Sequence, residues 1–395
     1  MSRKKESPLP QGVRKAVDKE VFLFLFVFLG LFCVLGTKMG LVNMFNTMMN
    51  TAYALLMDTV FYIMAIAVLA GAISALFSEF GVISLLNKLL SPLIYPIYGL
   101  PGASSVGIVT TYLSDNPAIL TLANDNTFRR FFKKYQLPAL TNIGTSFGMG
   151  LIITTFMIAL KSPVAERFGV AVLVGNLGAV IGSIVSTRLM LHHTAKVYGK
   201  EEVCEVSNDA ETIDPARYRI VGKGGVGTRF IDALMTGGKN GVEMGMAIIP
   251  GVLIICTMVL MLTNGAPAGG YTGAAYEGIA LLPWIGEKLK FILMPLFGFS
   301  SPEAIAVPIT ALGAAGAAIG IVEKLIAAGL ANAHDIAVFT AMCMCWSGYL
   351  STHVAMMDSL KCRNLTGKAI LYHTIGGACA GVAANWLYQL IMLIL

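Results

Sequence analysis

The chain has 395 residues, 56% of them hydrophobic and 13% charged, with a net charge of +6 and a mean hydropathy of +0.74. A water-soluble domain carries about 25% charged residues, so this composition excludes one and specifies an integral membrane protein. Its apolar runs are long and continuous instead of alternating, which selects helices over a β-barrel.

Residues 1–19 are polar and basic, and the run from Val21 towards Val42 is too long for a signal-peptide core. It reads as an uncleaved first helix. Thr51 to Phe77 forms a second span. Ile83 to Leu100 carries Asn87, Lys88, Pro92 and Pro96, which suits an interfacial helix better than a crossing. Leu100 to Phe128 is apolar but broken by Ser114, Asp115, Asn116 and Pro117. Arms of half-membrane length on either side of that break predict a re-entrant hairpin. Crossings follow at about 137–160 and 168–191.

Residues 192–239 are polar and read as a linker. A fifth crossing begins near Gly241, and a second interfacial segment runs from Leu281 to Phe299. Ser301 to Leu330 is a second hairpin broken at Gly313-Ala314-Ala315-Gly316, followed by crossings from about Ile336 to Met357 and from Ala369 to Leu395. The seven cysteines form no CxxC pair, and most sit in apolar runs as unpaired buried residues.

The two halves match. Pro96-Ile97-Tyr98-Gly99 corresponds to Pro295-Leu296-Phe297-Gly298, and Ala171 to Gly182 corresponds to Ala369 to Ala380, at a nearly constant offset. The domains are then 1–50, an N-terminal segment and helix; 51–191, repeat one; 192–239, a linker; and 240–395, repeat two. Three crossings per repeat invert the second copy. With a cytoplasmic N-terminus, segments 1–20, 78–136, 188–239 and 358–368 hold 22 of the 28 lysines and arginines, as the positive-inside rule requires. The C-terminus is then outside, and the hairpin tips meet near the midplane, as in alternating-access transporters. The fold class expected is an all-α polytopic membrane protein of two inverted repeats, each with three crossings, an interfacial helix and a re-entrant hairpin, plus an N-terminal helix.

Four polar interruptions are candidate sites. Asp115 with Ser114 and Asn116 binds a solute or cation at the first tip, or caps a helix. Thr141 to Ser146 is either an unwound helix with Asn142, Thr145 and Ser146 facing a solute, or a helix-to-helix hydrogen-bonding patch. Trp346 to His353 brings Ser347, Ser351, Thr352 and His353 into the sixth crossing, with His353 a ligand contact, a proton carrier or a structural histidine. Glu303 and Glu323 flank the second hairpin, and Glu323 next to Lys324 suggests a local ion pair. Gly222 to Thr228 mimics a phosphate loop, but Thr228 stands where its lysine belongs and no strand precedes it. His192-His193 reads as interfacial. No nucleophile–base set or metal-ligand cluster emerges, so an enzyme, a catalytic residue and a bound metal are not expected.

The order of interfacial helix, Pro96 to Gly102 turn, hairpin and broken helix resembles the bacterial nucleoside-recognition, or Gate-domain, membrane proteins and, at a distance, the concentrative nucleoside transporters. Ser114-Asp115-Asn116-Pro117 is similar to the polar-acidic-proline tip of their first hairpin. Thr141 to Ser146 and Ser347 to His353 are similar to their two broken helices. The resemblance covers roughly 50–395. It departs in the second hairpin, where Gly313 to Ala318 lacks the acidic pair that recognises ribose. It implies a secondary transporter in the bacterial cytoplasmic (inner) membrane that moves a small polar solute, nucleoside-like or another metabolite. No cofactor beyond a coupling H⁺ or Na⁺ is implied. The partners are the solute and the lipid bilayer, with no nucleic acid; a homo-oligomer stays open. A non-transporting scaffold of the spore-maturation type and a passive channel are the alternatives.

Overall fold

The structure is a computed structural model that describes residues 16–114, 129, 131–164, 167–204 and 221–394; the side chain of Ser351 falls outside that set. Regular structure among the described residues is helical apart from one isolated bridge between Lys133 and Val203. Helix α1 is Lys19–Met39, begun by Asp18, whose carboxylate accepts the Glu20 amide at 2.9 Å. Next come α2 (Leu41–Ala54), a π-turn at Leu55–Val60 and α3 (Phe61–Glu79), which run on as one 39-residue helix. Then follow α4 (Val82–Tyr98), α5 (Ser104–Leu113), α6 (Ala139–Thr145), α7 (Gly150–Ala159) and α8 (Gly169–Tyr198). The second half begins with α9 (Val226–Gly251), a π-turn at Val252–Cys256 and α10 (Thr257–Thr263), again one continuous helix. It continues with α11 (Leu281–Lys288), α12 (Lys290–Phe297), α13 (Ala306–Gly313), α14 (Ala315–Ala327), α15 (Ala333–Cys345), α16 (Tyr349–Ser359) and α17 (Thr366–Met392).

Six of these stretches are long and apolar enough to cross a membrane, among the described residues, and a bent pair, α12 with Pro302–Gly313, makes up to seven. The protein is an all-helical membrane protein. Helix α1 exposes Phe22, Phe24, Phe26 and Phe28, an arrangement stable only against lipid. The helices Leu41–Glu79 and Val226–Thr263 are 39 and 38 residues long. At a rise of ~1.5 Å per residue each reaches about 57 Å, so both overshoot a ~30 Å hydrocarbon core.

Local geometry recurs with a spacing of 199 residues. Left-handed backbone occurs at Gly81 and Ala280, at Gly99 and Gly298, and at Met149 and Gly348. The first pair opens α4 and α11, the second closes α4 and α12, and the third opens α7 and α16. At Gly99 and Gly298 the amide closes onto the carbonyl four residues back, a C-terminal turn that a side chain would strain. A side-chain bond recurs as well: Gln136 accepts the Lys133 amide, and Asp335 accepts the Asn332 amide, both at 3.0 Å.

Two helix pairs pack backbone against backbone. A methyl on Gly182 would lie 2.5 Å from the Gly376 carbonyl oxygen, and one on Gly376 would lie 2.7 Å from that of Gly182. Gly178 faces Ala380 and Ala384, so α8 and α17 run antiparallel. Gly71 and Gly237 are opposed in the same reciprocal way, and Gly241 meets Ala67 and Val68. Thus α3 and α9 also run antiparallel, and the two π-turns touch where α3 begins and α9 ends. Small residues permit this approach, and in lipid close packing is what holds helices together.

Several expected boundaries move. The second span begins at Leu41, not Thr51, because α2 continues through its π-turn into α3. The stretch 192–239 is partly helical, since α8 runs on to Tyr198 and α9 starts at Val226. Thr141 to Thr145 are helical, and the break falls one turn later at Ser146 to Met149, in successive i→i+3 turns. The second interfacial segment divides at Leu289. The second hairpin turns where expected, on extended Ala314. Glu323 and Lys324 form no ion pair; Lys324 Nζ lies 4.9 Å over the Tyr276 ring, and one Glu323 oxygen is buried without a hydrogen bond.

Glu277 fastens the 264–280 loop to α2. Its carboxylate accepts Thr272 Oγ1 (2.6 Å), the amides of Thr272 and Gly273 (3.0 Å each) and Thr47 Oγ1 (3.3 Å). Burial pushes this carboxyl up, but the Thr272 and Gly273 donors outweigh it and hold the group below its usual 4.5. A depressed folded value means the clasp is complete above pH 4.5 and is lost as pH falls through the folded value. Melting temperature should therefore fall as pH drops below 4.5, and Glu277→Gln should flatten that dependence. Gly182→Val should cost about 1–3 kcal/mol in thermal unfolding, while Gly169→Ala, with nothing within 4 Å of the added carbon, should be neutral.

Candidate functional site

A cavity of about 430 Å³ opens between α3, α5 and α9. Each helix turns toward it residues spaced by four, which lie on one face: Ser74 and Ser78 from α3, Thr110 and Ser114 from the end of α5, and Asp232, Thr236 and Asn240 from α9. Beside them Arg229 Nη1 contacts Glu79 Oε1 at 3.1 Å, and Glu79 also accepts the Gly222 amide at 3.1 and 3.2 Å. Gly222, singled out for its phosphate-loop likeness, thus donates to a carboxylate of the chain itself. Arg229 stacks over Phe80 at 5.7 Å. Asp232, Thr236 and Asn240 are exposed, and the cavity offers hydroxyls, an amide and a carboxylate side by side.

A second polar region lies among α6, α8, α15, α16 and α17, and it is closed. Asn142 Nδ2 donates to Ser186 Oγ (2.8 Å) and to the Ala369 carbonyl (3.1 Å), and its Oδ1 accepts Thr141 Oγ1 (3.1 Å). Ser186 Oγ lies 3.1 Å from His373 Nδ1, whose Nε2 lies 2.5 Å from the Cys345 carbonyl. The His373 ring is 4.6 Å from that of His353 and 4.9 Å from that of Tyr349, centroid to centroid. Tyr349 OH meets Thr374 Oγ1 at 2.6 Å. Asn142, Ser186, His353 and His373 are fully buried. His353 Nδ1 lies 3.1 Å from the Tyr349 carbonyl, while its Nε2 and the Trp346 indole nitrogen are buried without a hydrogen bond.

The expected site residues therefore divide. Ser114 lines the open cavity. Asn142, Thr145, Ser146, Ser347, Thr352 and His353 lie in or beside the closed region. There the hydroxyls of Thr145, Ser146 and Thr352 bond the carbonyls four residues back on their own helices or turns. Asp115 and Asn116, and the side chain of Ser351, lie outside the described residues. Sequence reading missed Asp232, Thr236, Asn240, Ser74, Ser78 and Thr110; a search for polar residues at i and i+4 near the ends of apolar helices would have found them. It also missed His373 and Ser186, whose role depends on the α8–α17 crossing.

The second hairpin brings no polar side chain to its turn. Gly251 lies 3.0 Å, at the position of an added carbon, from Ala314 Cβ, and the Gly348 amide donates to the Ala311 carbonyl at 3.3 Å. The turn thus rests on the π-turn region of α9 and on the break between α15 and α16.

Removing the Asn142 amide would leave a buried carbonyl without its donor, at about 1–3 kcal/mol. Asn142→Ala should lower the melting temperature by several degrees, a loss that thermal unfolding in detergent reads directly.

No protein-family model matches the chain, and no curated protein matches it. Among solved structures it is similar to CNTnw in an outward-facing state, with 14% identity over 94% of this chain and 86% of that one, at a TM-score of 0.49. It is also similar to CNTnw in an inward-facing substrate-bound state, with 15% identity, coverage of 82% and 73%, and a TM-score of 0.44. For the intermediate 2 state the values are 14% identity, 85% and 81% coverage, and a TM-score of 0.47.

Proposed function

We propose that the chain is a secondary transporter of a small, hydroxyl-bearing polar solute of nucleoside-like size, working by alternating access across the cytoplasmic membrane. The observation that carries this reading is the 430 Å³ cavity, walled by polar stripes from three helices and ending on Ser114. Its volume suits a small molecule, for which sites of about 300–1,000 Å³ are usual. Its free groups donate and accept hydrogen bonds, which suits a neutral polyol or heterocycle. Ser114 directly precedes the polar Asp115-Asn116 pair in sequence.

We infer that the two halves are inverted copies. The 199-residue recurrence supports duplication, and the antiparallel packing of α8 on α17, two helices that this spacing relates, supports inversion. Related helices that pack antiparallel across one interface suit a two-fold axis in the membrane plane. Ser78, Glu79, Gly222 and Arg229, at the cavity wall, belong to segments rich in lysine and arginine, so the cavity opens to the cytoplasm and the N-terminus lies on that side. H⁺ and Na⁺ are the candidate coupling ions.

A second reading, a non-transporting scaffold, is favoured by the closed polar region around Asn142 and His373. Uptake distinguishes the two. Protein reconstituted in liposomes is screened with nucleosides, nucleobases, amino acids and small carboxylates under H⁺ and Na⁺ gradients. Saturable uptake of one class is expected, reduced about tenfold, the effect of ~1.4 kcal/mol, in both Thr236→Val and Asn240→Ala. Both side chains are exposed, so melting temperature should not change. Absence of saturable uptake, or uptake untouched by both variants, would overturn the transport reading.

A further inference from the structure

A second cavity, of about 390 Å³, lies at the C-terminal end of α4 and is lined by Tyr95, Gly99, Tyr135, Arg188, His192 and Lys200. Cations dominate it. Arg188 and His192 stand four residues apart on one face of α8, with Lys196 one turn further along the same stripe. The nearby carboxylates are already engaged: Glu201 holds Lys133 at 2.8 Å, and Glu202 holds Lys134 at 2.6 Å. Arg188, His192 and Lys200 form no ion pair among the described residues.

Arg188 is held in place by the end of α4. Its Nε donates to the Ile97 carbonyl at 2.9 Å and its Nη2 to the Pro96 carbonyl at 2.6 Å. The side chain passes Gly99, where an added carbon would lie 3.1 Å from Nη1. Two nitrogens thus cap the helix while Nη1 remains beside the cavity. Along α4 itself, Leu85, Leu89 and Leu93 recur every four residues and are 51–62% exposed, and Tyr95, 69% exposed, reaches the cavity wall. The amphipathic helix α4 thus carries exposed leucines along its length and meets a cationic cavity at its C-terminal end.

We propose that this is a binding site for an anionic phospholipid. The headgroup phosphate is held by Arg188, His192 and Lys200, and the acyl chains lie along Leu85, Leu89 and Leu93. The exposed leucines distinguish a lipid from a soluble anion, because inorganic phosphate has no use for them. A basic pocket between membrane helices beside an interfacial helix has the charge and shape such a headgroup needs. This inference is independent of transport: it concerns a different cavity and is read by binding.

The test is native mass spectrometry of the full chain in uncharged detergent with dioleoyl phosphatidylglycerol or dioleoyl phosphatidylcholine, repeated with excess inorganic phosphate. Phosphatidylglycerol should be retained about 25-fold more than phosphatidylcholine, since Arg188 and Lys200 each contribute about a fivefold preference. The double variant His192→Gln, Lys200→Gln keeps the Arg188 cap and should reduce that preference about fivefold. Leu89→Asn should weaken retention of phosphatidylglycerol, and phosphate should not displace the lipid. Equal retention of the two lipids, or an unchanged preference in the double variant, would overturn the proposal. Displacement by phosphate with no effect of Leu89→Asn would reassign the cavity to a soluble anion and overturn the lipid assignment.

Discussion

Where Gly182 faces Gly376, two helix backbones meet with no side chain between them, and the same happens where Gly71 faces Gly237. In lipid there is no hydrophobic drive to press helices together, so dispersion between closely approaching backbones holds such crossings. Both crossings are antiparallel and reciprocal. Each fixes the register of one long helix against another, and everything functional hangs from those registers. The α8–α17 crossing brings Ser186 to His373 and Asn142 to the Ala369 carbonyl. The α3–α9 crossing brings Ser74 and Ser78 into one cavity wall with Asp232, Thr236 and Asn240. Both helices of that second crossing are longer than a hydrocarbon core, so the polar wall they form stands toward a membrane surface.

The breaks in the shorter helices follow from the same packing. The turn between α6 and α7 ends on left-handed Met149 and the one between α15 and α16 on left-handed Gly348. A left-handed methionine is uncommon and needs support from its surroundings; here Met149 is buried in the main core. Gly348 instead leans on the second hairpin, donating its amide to Ala311. One half thus holds its break with a packed side chain, and the other with backbone contact.

Much of the architecture was legible in the sequence because its signals are local. Apolar length located the spans, and Gly99 and Gly298 located the ends of α4 and α12. The run Gly313 to Gly316 located the turn of the second hairpin, which falls on Ala314 within it. The π-turns were not legible: Pro250 removes one helical hydrogen bond just before the second, but nothing comparable precedes the first. The division of the candidate residues was not legible either. Asn142 and Thr236 are both polar residues in apolar helices, and only the crossings decide that one is enclosed and the other is open. A sequence read helix by helix contains no information about the registers that enclose it.

That division decides what each polar group can do. Asn142 has both amide hydrogens and an oxygen lone pair engaged within the protein, and the hydroxyls of Thr145 and Ser146 return to their own helix. Such groups fix an arrangement and have little capacity left for a visitor. Ser114 also donates its hydroxyl hydrogen to its own helix, at 2.6 Å from the Thr110 carbonyl, but its oxygen still faces a cavity where Asp232, Thr236 and Asn240 stand exposed. Groups so exposed are open to water, and a hydroxyl-bearing solute can replace water with little change in hydrogen bonding. Inside the closed region, His353 Nε2, beside His373, and the Trp346 indole nitrogen are buried without a hydrogen bond. Such unsatisfied nitrogens destabilise the closed packing.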